Sequence, residues 1–87
     1  LPPARILDLG TGSGALLLAA MSVFQAAEGV AIDASERALA VAKGNSARLG
    51  FGQRTNFLHL SWREYGWVAD LGRFDLILCN PPYVELD

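Results

Sequence analysis

An α/β fold on an open parallel sheet is predicted by three features of this 87-residue chain. Short apolar runs alternate with longer helix-forming segments, the pattern that generates βαβ units. The first run ends in a glycine cluster, and the fourth is almost continuously apolar, as in strands covered on both faces. Hydrophobic residues make up 52% and charged residues 18%, which marks a core-forming chain and not a disordered tail. The formal net charge is −2, so no basic surplus advertises a surface for nucleic acid. A single cysteine excludes an internal disulfide framework and a cysteine-cluster metal site. The longest apolar run, 15–21, is too short to cross a bilayer, and no signal-peptide pattern is visible.

Each element has a local cause. Arg5 to Leu9 (RILDL) reads as the first buried strand. Ala15 to about Ala27 is rich in Ala and Leu and favours a helix, with Leu16, Leu17 and Leu18 as its packing face. Gly29 to Asp33 (GVAID) is the second strand. Ser35 then offers an N-cap, Glu36 suits the positive helix end, and the helix runs to about Leu49, with Gly50 at its C′ position. Gly44 inside that helix costs about 1 kcal/mol against alanine. Thr55 to Leu60 (TNFLHL) is the third strand, with His59 in mid-strand as a surface residue. Ser61 and Glu64 have capping-box spacing, which predicts a short helix from Trp62 to about Leu71. Phe74 to Cys79 (FDLILC) is the fourth strand, in which Cys79 is expected to be a buried small hydrophobe. Pro81 and Pro82 end it, since neither can donate to a ladder.

If the first strand is central, right-handed crossovers give the order 3-2-1-4. The fourth strand is then a long apolar edge that invites pairing with another chain. A four-stranded sheet is thin for this class, and the chain opens at Leu1 with no initiator methionine, so the expectation is a fragment.

Ligands of such sheets bind beyond the carboxyl ends of the strands. After the first strand comes Asp8-Leu9-Gly10-Thr11-Gly12-Ser13-Gly14. Alternate glycines allow a ligand to approach bare backbone, and the next helix aims its free N–H groups at the same place. The Asp8 carboxylate there suits a cationic amino group better than a phosphate. Asp33 ends the second strand, and a carboxylate at that place accepts both hydroxyls of a ribose. Trp62 follows the third strand and offers a face to a base. Asn80-Pro81-Pro82-Tyr83 follows the fourth. The prolines stiffen the loop, so the Asn80 side-chain oxygen and the Pro81 carbonyl become preset acceptors for an NH2 group, and Tyr83 can stack on a planar one.

The set DLGTGSG, then AID, then NPPY after an apolar strand resembles the class I S-adenosylmethionine-dependent methyltransferases. The longer stretches RILDLGTGSGALLLA, ERALAVAKGNSARLG and GRFDLILCNPPYV look like the protein-(glutamine-N5) methyltransferases of peptide chain release factors, the HemK/PrmC group. The resemblance covers essentially the whole chain. It implies a Rossmann-like methyltransferase sheet, of which residues 1–87 form the N-terminal part, without the family's N-terminal helical domain and later strands. It implies S-adenosyl-L-methionine as cofactor, with Gly10, Thr11, Gly12, Ser13 and Gly14 against its methionine part, Asp33 on the ribose and Trp62 beside the adenine. Asn80, Pro81, Pro82 and Tyr83 would position a glutamine amide carried by a release-factor loop. Ser61 stands where the family often has an acidic residue. A cytoplasmic enzyme needing no metal is the corresponding expectation. Two other enzyme readings compete. One is an RNA or DNA amino-group methyltransferase with the same NPPY loop. The other is a nicotinamide-dependent oxidoreductase, since Gly10-x-Gly12-x-x-Ala15 fits the permissive dinucleotide fingerprint. A fragment without activity of its own is the third alternative.

Overall fold

The computed structural model describes residues 1–61 and 71–79. The sheet contains β1 (Arg5–Leu9), β2 (Glu28–Asp33), β3 (Thr55–His59) and β4 (Leu76–Cys79). All neighbours run parallel, and the order is β3-β2-β1-β4. The expected sheet and strand order are therefore the observed ones. Helix α1 (Ala15–Val23) joins β1 to β2, and α2 (Glu36–Arg48) joins β2 to β3 through a single 3-10 turn at Gly52–Arg54. The helix predicted from Trp62 falls on 62–70, outside the described residues, as do Asn80, Pro81, Pro82 and Tyr83.

Register decides which residues face the helices. Ile6 pairs with Gly29 and Asp8 with Ala31, so Ile6, Asp8, Ala31 and Asp33 share one face. Ile6, Leu17, Met21, Ala27 and Ala31 form a fully buried cluster there, with Phe24, Phe51, Phe57, Leu76 and Leu78 packed against it. Each large side chain in this cluster contributes about 1.5–3 kcal/mol by leaving water. The approach of α1 to β2 is close: a Cβ on Gly29 would lie 2.8 Å from the Met21 sulfur and 3.0 Å from a Leu17 methyl. The opposite face carries Leu7, Val30 and Ile32, packed with Leu9, Leu58, Leu60, Leu71 and Phe74.

Helix α2 is fixed by its ends and by one polar contact beneath it. The Ser35 hydroxyl accepts the Ala38 N–H at the N-cap, as the sequence predicts. Gly50 follows the helix with φ 80°. The buried Ser46 and Thr55 hydroxyls lie 2.7 Å apart. Thr55 donates to the Phe51 carbonyl, so Ser46 is the donor of the pair. At the other end of the sheet, the Asp75 carboxylate accepts the Ala4 and Arg5 amides at 2.9 and 3.1 Å. The Arg5 guanidinium donates to the Leu71 and Arg73 carbonyls and lies over the Phe74 ring.

Several element-level expectations need correction. Helix α1 stops at Val23, not Ala27, because the chain must turn early for Glu28 N–H to reach the Ala4 carbonyl and start β2. Leu17 and Leu18 are buried but Leu16 is 49% exposed, since three consecutive helical residues cannot share one face. Strand β3 ends at His59, which is therefore a strand-end and not a mid-strand residue. Strand β4 is covered on one face only among the described residues: Leu76 and Leu78 are half-buried, while Ile77 and Cys79 are exposed. Cys79 is thus not the buried hydrophobe expected from a continuously apolar run, because the strand period sends it to the open face beside Ile77.

Candidate functional site

The carboxyl ends of β1 and β2 meet in a small hydrogen-bonded unit. The β1–α1 loop holds Gly10, Gly12 and Gly14 at φ 69°, 56° and 85°, a left-handed conformation that other residues rarely adopt. Among the described residues nothing lies within 4 Å of where a Cβ on Gly12 would be, so its backbone is bare on that side. Gly14, at the N-cap of α1, instead lies tight under Ala42 of α2, whose Cβ is 3.2 Å from its missing one. From α2, the Asn45 amide donates to the Ser13 carbonyl at 2.9 Å, and Arg48 bonds to the same asparagine.

Most of the loop's own amides are spent inside this unit. Gly10 and Thr11 both donate to the Ile32 carbonyl, at 2.8 and 3.0 Å, and Gly14 donates to Thr11. Gly12 donates to Asp33 Oδ2 at 2.8 Å. The other oxygen of Asp33 accepts the Ser35 amide at 2.9 Å. One carboxylate therefore binds the glycine loop to the start of α2. Each of its oxygens retains a lone pair, since a carboxylate offers about four acceptor sites. Asp33 is partly exposed at the strand end, where those sites meet solvent.

Asp8 plays a different part from the one its sequence position suggests. It belongs to β1, is fully buried, and stands under the loop instead of in it. Its Oδ2 accepts the Thr11 hydroxyl at 2.7 Å, and its Oδ1 has no hydrogen-bond partner among the described residues. Burial pushes its carboxyl above the usual range. The Thr11 hydroxyl opposes that rise, the nearby Asp33 charge adds to it, and the Leu17 amide tempers it from a geometry short of a hydrogen bond.

The arrangement has clear chemical preferences. Two carboxylates under and beside a loop whose amides at Gly10, Thr11, Gly12 and Gly14 are already engaged make a poor cradle for a pyrophosphate. They suit a ligand with hydroxyl donors at Asp33 and positive charge over Asp8. The structure brings Asp8, Gly10, Thr11, Gly12, Ser13, Gly14 and Asp33 to one edge. The remaining sequence candidates, Trp62 and Asn80 to Tyr83, lie outside the described residues. His59, read from the sequence as a surface residue, is exposed and touches the β2–α2 turn through the Ala34 carbonyl and Glu36. Among the described residues, no group of three or more His, Cys, Asp or Glu could hold a metal ion, and no helix is long and apolar enough to cross a membrane.

Comparison with known proteins agrees with this fold. A family model described as a methyltransferase domain matches residues 2–84. A release factor glutamine methyltransferase of Caulobacter vibrioides is 48% identical over 82 residues, which is 94% of this chain. The chain spans 27% of that relative's length. Among solved structures, TrmN from Thermus thermophilus superimposes with a TM-score of 0.78 at 31% identity, covering 91% of this chain and 23% of that one. A methyltransferase from Thiobacillus denitrificans, solved in complex with S-adenosyl-L-homocysteine, gives 0.72 at 33% identity, covering 87% of this chain and 29% of that one.

Proposed function

Because the chain belongs to the methyltransferase-domain family, we propose that it forms the S-adenosyl-L-methionine-binding part of an N-methyltransferase acting on a glutamine side-chain amide of a peptide chain release factor. The observation that carries the cofactor half is the Asp33 carboxylate. It is braced by the Gly12 and Ser35 amides at the end of β2, beside the bare backbone of Gly12. Spare lone pairs on a fixed carboxylate match the two hydroxyls of a ribose. The buried Asp8 charge favours a cationic ligand above the loop, whereas the engaged loop amides disfavour a dinucleotide. The acceptor half rests on Asn80-Pro81-Pro82-Tyr83 and on relatives bearing the release-factor name.

Bound at this edge, S-adenosyl-L-methionine supplies an electrophilic methyl on a sulfonium. The chain's own task is alignment, which is worth about 7–11 kcal/mol when reacting groups are well oriented. Gly10 to Gly14 and Asp33 fix the donor. Asn80 and the Pro81 carbonyl accept the two hydrogens of the glutamine NH2, which localises electron density on a nitrogen otherwise weakened by resonance. Tyr83 would stack on the planar amide, and Trp62 would pack on the adenine. We assign no general base among the described residues; once the methyl has moved to nitrogen, the surplus amide proton leaves to solvent.

Calorimetry on the full-length protein with S-adenosyl-L-homocysteine and with NAD tests the cofactor half. Binding of the first and not the second is expected, and the reverse overturns it. Replacing Asp33→Ala removes the acceptor of two charge-assisted bonds and weakens that binding about tenfold or more. Mass spectrometry of a release factor incubated with enzyme and cofactor tests the acceptor. Methylation at a glutamine is expected; methylation of RNA instead, with the release factor unmodified, overturns that half.

A further inference from the structure

We propose that His59 is a positioning residue for the Asp33 carboxylate, acting from the end of β3 on the turn that carries it. This rests on the cofactor reading above. His59 and Asp33 are register partners on adjacent parallel strands, so their side chains leave the same face of the sheet. The His59 Nε2 lies 2.8 Å from the Ala34 carbonyl oxygen. A carbonyl can only accept, so Nε2 carries the proton. The Leu60 amide donates to the Asp33 carbonyl at 3.1 Å. Two consecutive carbonyls, of Asp33 and Ala34, are thus held from β3.

On its other side, the same stretch is held by the Asp33 carboxylate, which accepts the Ser35 and Gly12 amides. The direction of the remaining carboxylate lone pairs depends on the Asp33–Ser35 backbone, and His59 is the side chain that fixes the middle of it. Core packing does not explain the imidazole, because its side chain is 50% exposed. The Glu36 carboxylate stands 3.5 Å from Nδ1 but is 82% exposed, so that pair adds little and the Ala34 contact carries the effect. The ligand served is a vicinal diol, the chemistry of a ribose.

The test uses the full-length protein with His59→Ala and His59→Gln. Three quantities are read: the dissociation constant of S-adenosyl-L-homocysteine, the KM and kcat for S-adenosyl-L-methionine with the release factor, and exchange of the Ser35 amide. In His59→Ala the dissociation constant and KM rise about threefold to tenfold, the worth of one hydrogen bond, while kcat stays within about twofold. The Ser35 amide exchanges faster. His59→Gln, whose side-chain amide can donate to Ala34, recovers most of the affinity. Unchanged affinity in His59→Ala overturns the role, as does a fall in kcat at constant KM, or glutamine doing no better than alanine. If the wild-type protein fails to bind S-adenosyl-L-homocysteine, the cofactor reading falls and this role with it. If the wild type binds and His59→Ala binds equally, only the role of His59 falls.

Discussion

Asp8 shows how a residue read from the sequence as part of a site can be costly for the fold. Its Oδ1 is buried without a partner among the described residues, and burial raises its carboxyl above the ordinary range. The folded protein therefore holds this proton to higher pH than the unfolded chain does. Below the ordinary carboxyl value both states are protonated and no penalty exists; stability is lost as pH rises through the folded value. Asp8→Asn keeps an acceptor for the Thr11 hydroxyl and removes the charge. It should raise stability at neutral pH by about 1 kcal/mol, roughly 4–8 °C in Tm for a domain of this size. The gain should vanish on acidification. Thermal unfolding followed by circular dichroism across that range checks both parts, and a lower Tm at neutral pH would contradict them. The sequence already made Asp8 and Asp33 legible as strand-end carboxylates, because glycine spacing and apolar runs locate strand ends. It did not reveal that Asp8 is sealed beneath the loop while Asp33 closes over Gly12. That difference depends on register with β2, which no local pattern encodes.

Elements here owe their placement to close backbone approach, and two glycines separate the causes. Gly29 lies in β2 directly under α1, where an added Cβ would collide with Met21 and Leu17. Gly44 lies mid-way along α2, where an added Cβ would meet nothing. Gly29→Ala should therefore overpack the interface and cost about 1–3 kcal/mol. Gly44→Ala should gain about 0.5–1 kcal/mol from helix propensity and a less flexible unfolded chain. Urea denaturation of each variant reads the opposite shifts in midpoint, and the same sign for both would refute the packing account. Helix type and strand type were readable from composition and capping residues such as Ser35. The ends of α1 and β3 were not, since they answer to the Ala4–Glu28 and Asp33–Leu60 backbone bonds across the sheet.

The open sheet gains its β4 edge through contacts between segments far apart in sequence. Central β1 has β4 beside it, with the Asp75 carboxylate accepting the Ala4 and Arg5 amides and the Asp75 amide donating to the Arg5 carbonyl. Strand order was predictable from the early glycine loop, which argues for a central first strand. The clasp was not predictable, because Asp75 looks like an ordinary polar start to an apolar run. The Ala4 and Arg5 amides hold its carboxyl below the ordinary range against a desolvation that opposes them, and the Arg73 and Arg5 charges add smaller pulls in the same direction as the amides. A depressed carboxyl stabilises the fold above its ordinary value, and that contribution is lost as pH falls through the folded value. The sign is thus opposite to that of Asp8. Asp75→Ala should loosen β4 from β1 at neutral pH and leave the α1–β2–α2 part intact. Amide exchange should accelerate at Leu76 to Cys79 well beyond any change at Val30 to Ile32, and the excess should fade on acidification as the wild-type carboxyl protonates. Uniform acceleration across all four strands would mean that the clasp supports the sheet as one cooperative unit, with no separable edge.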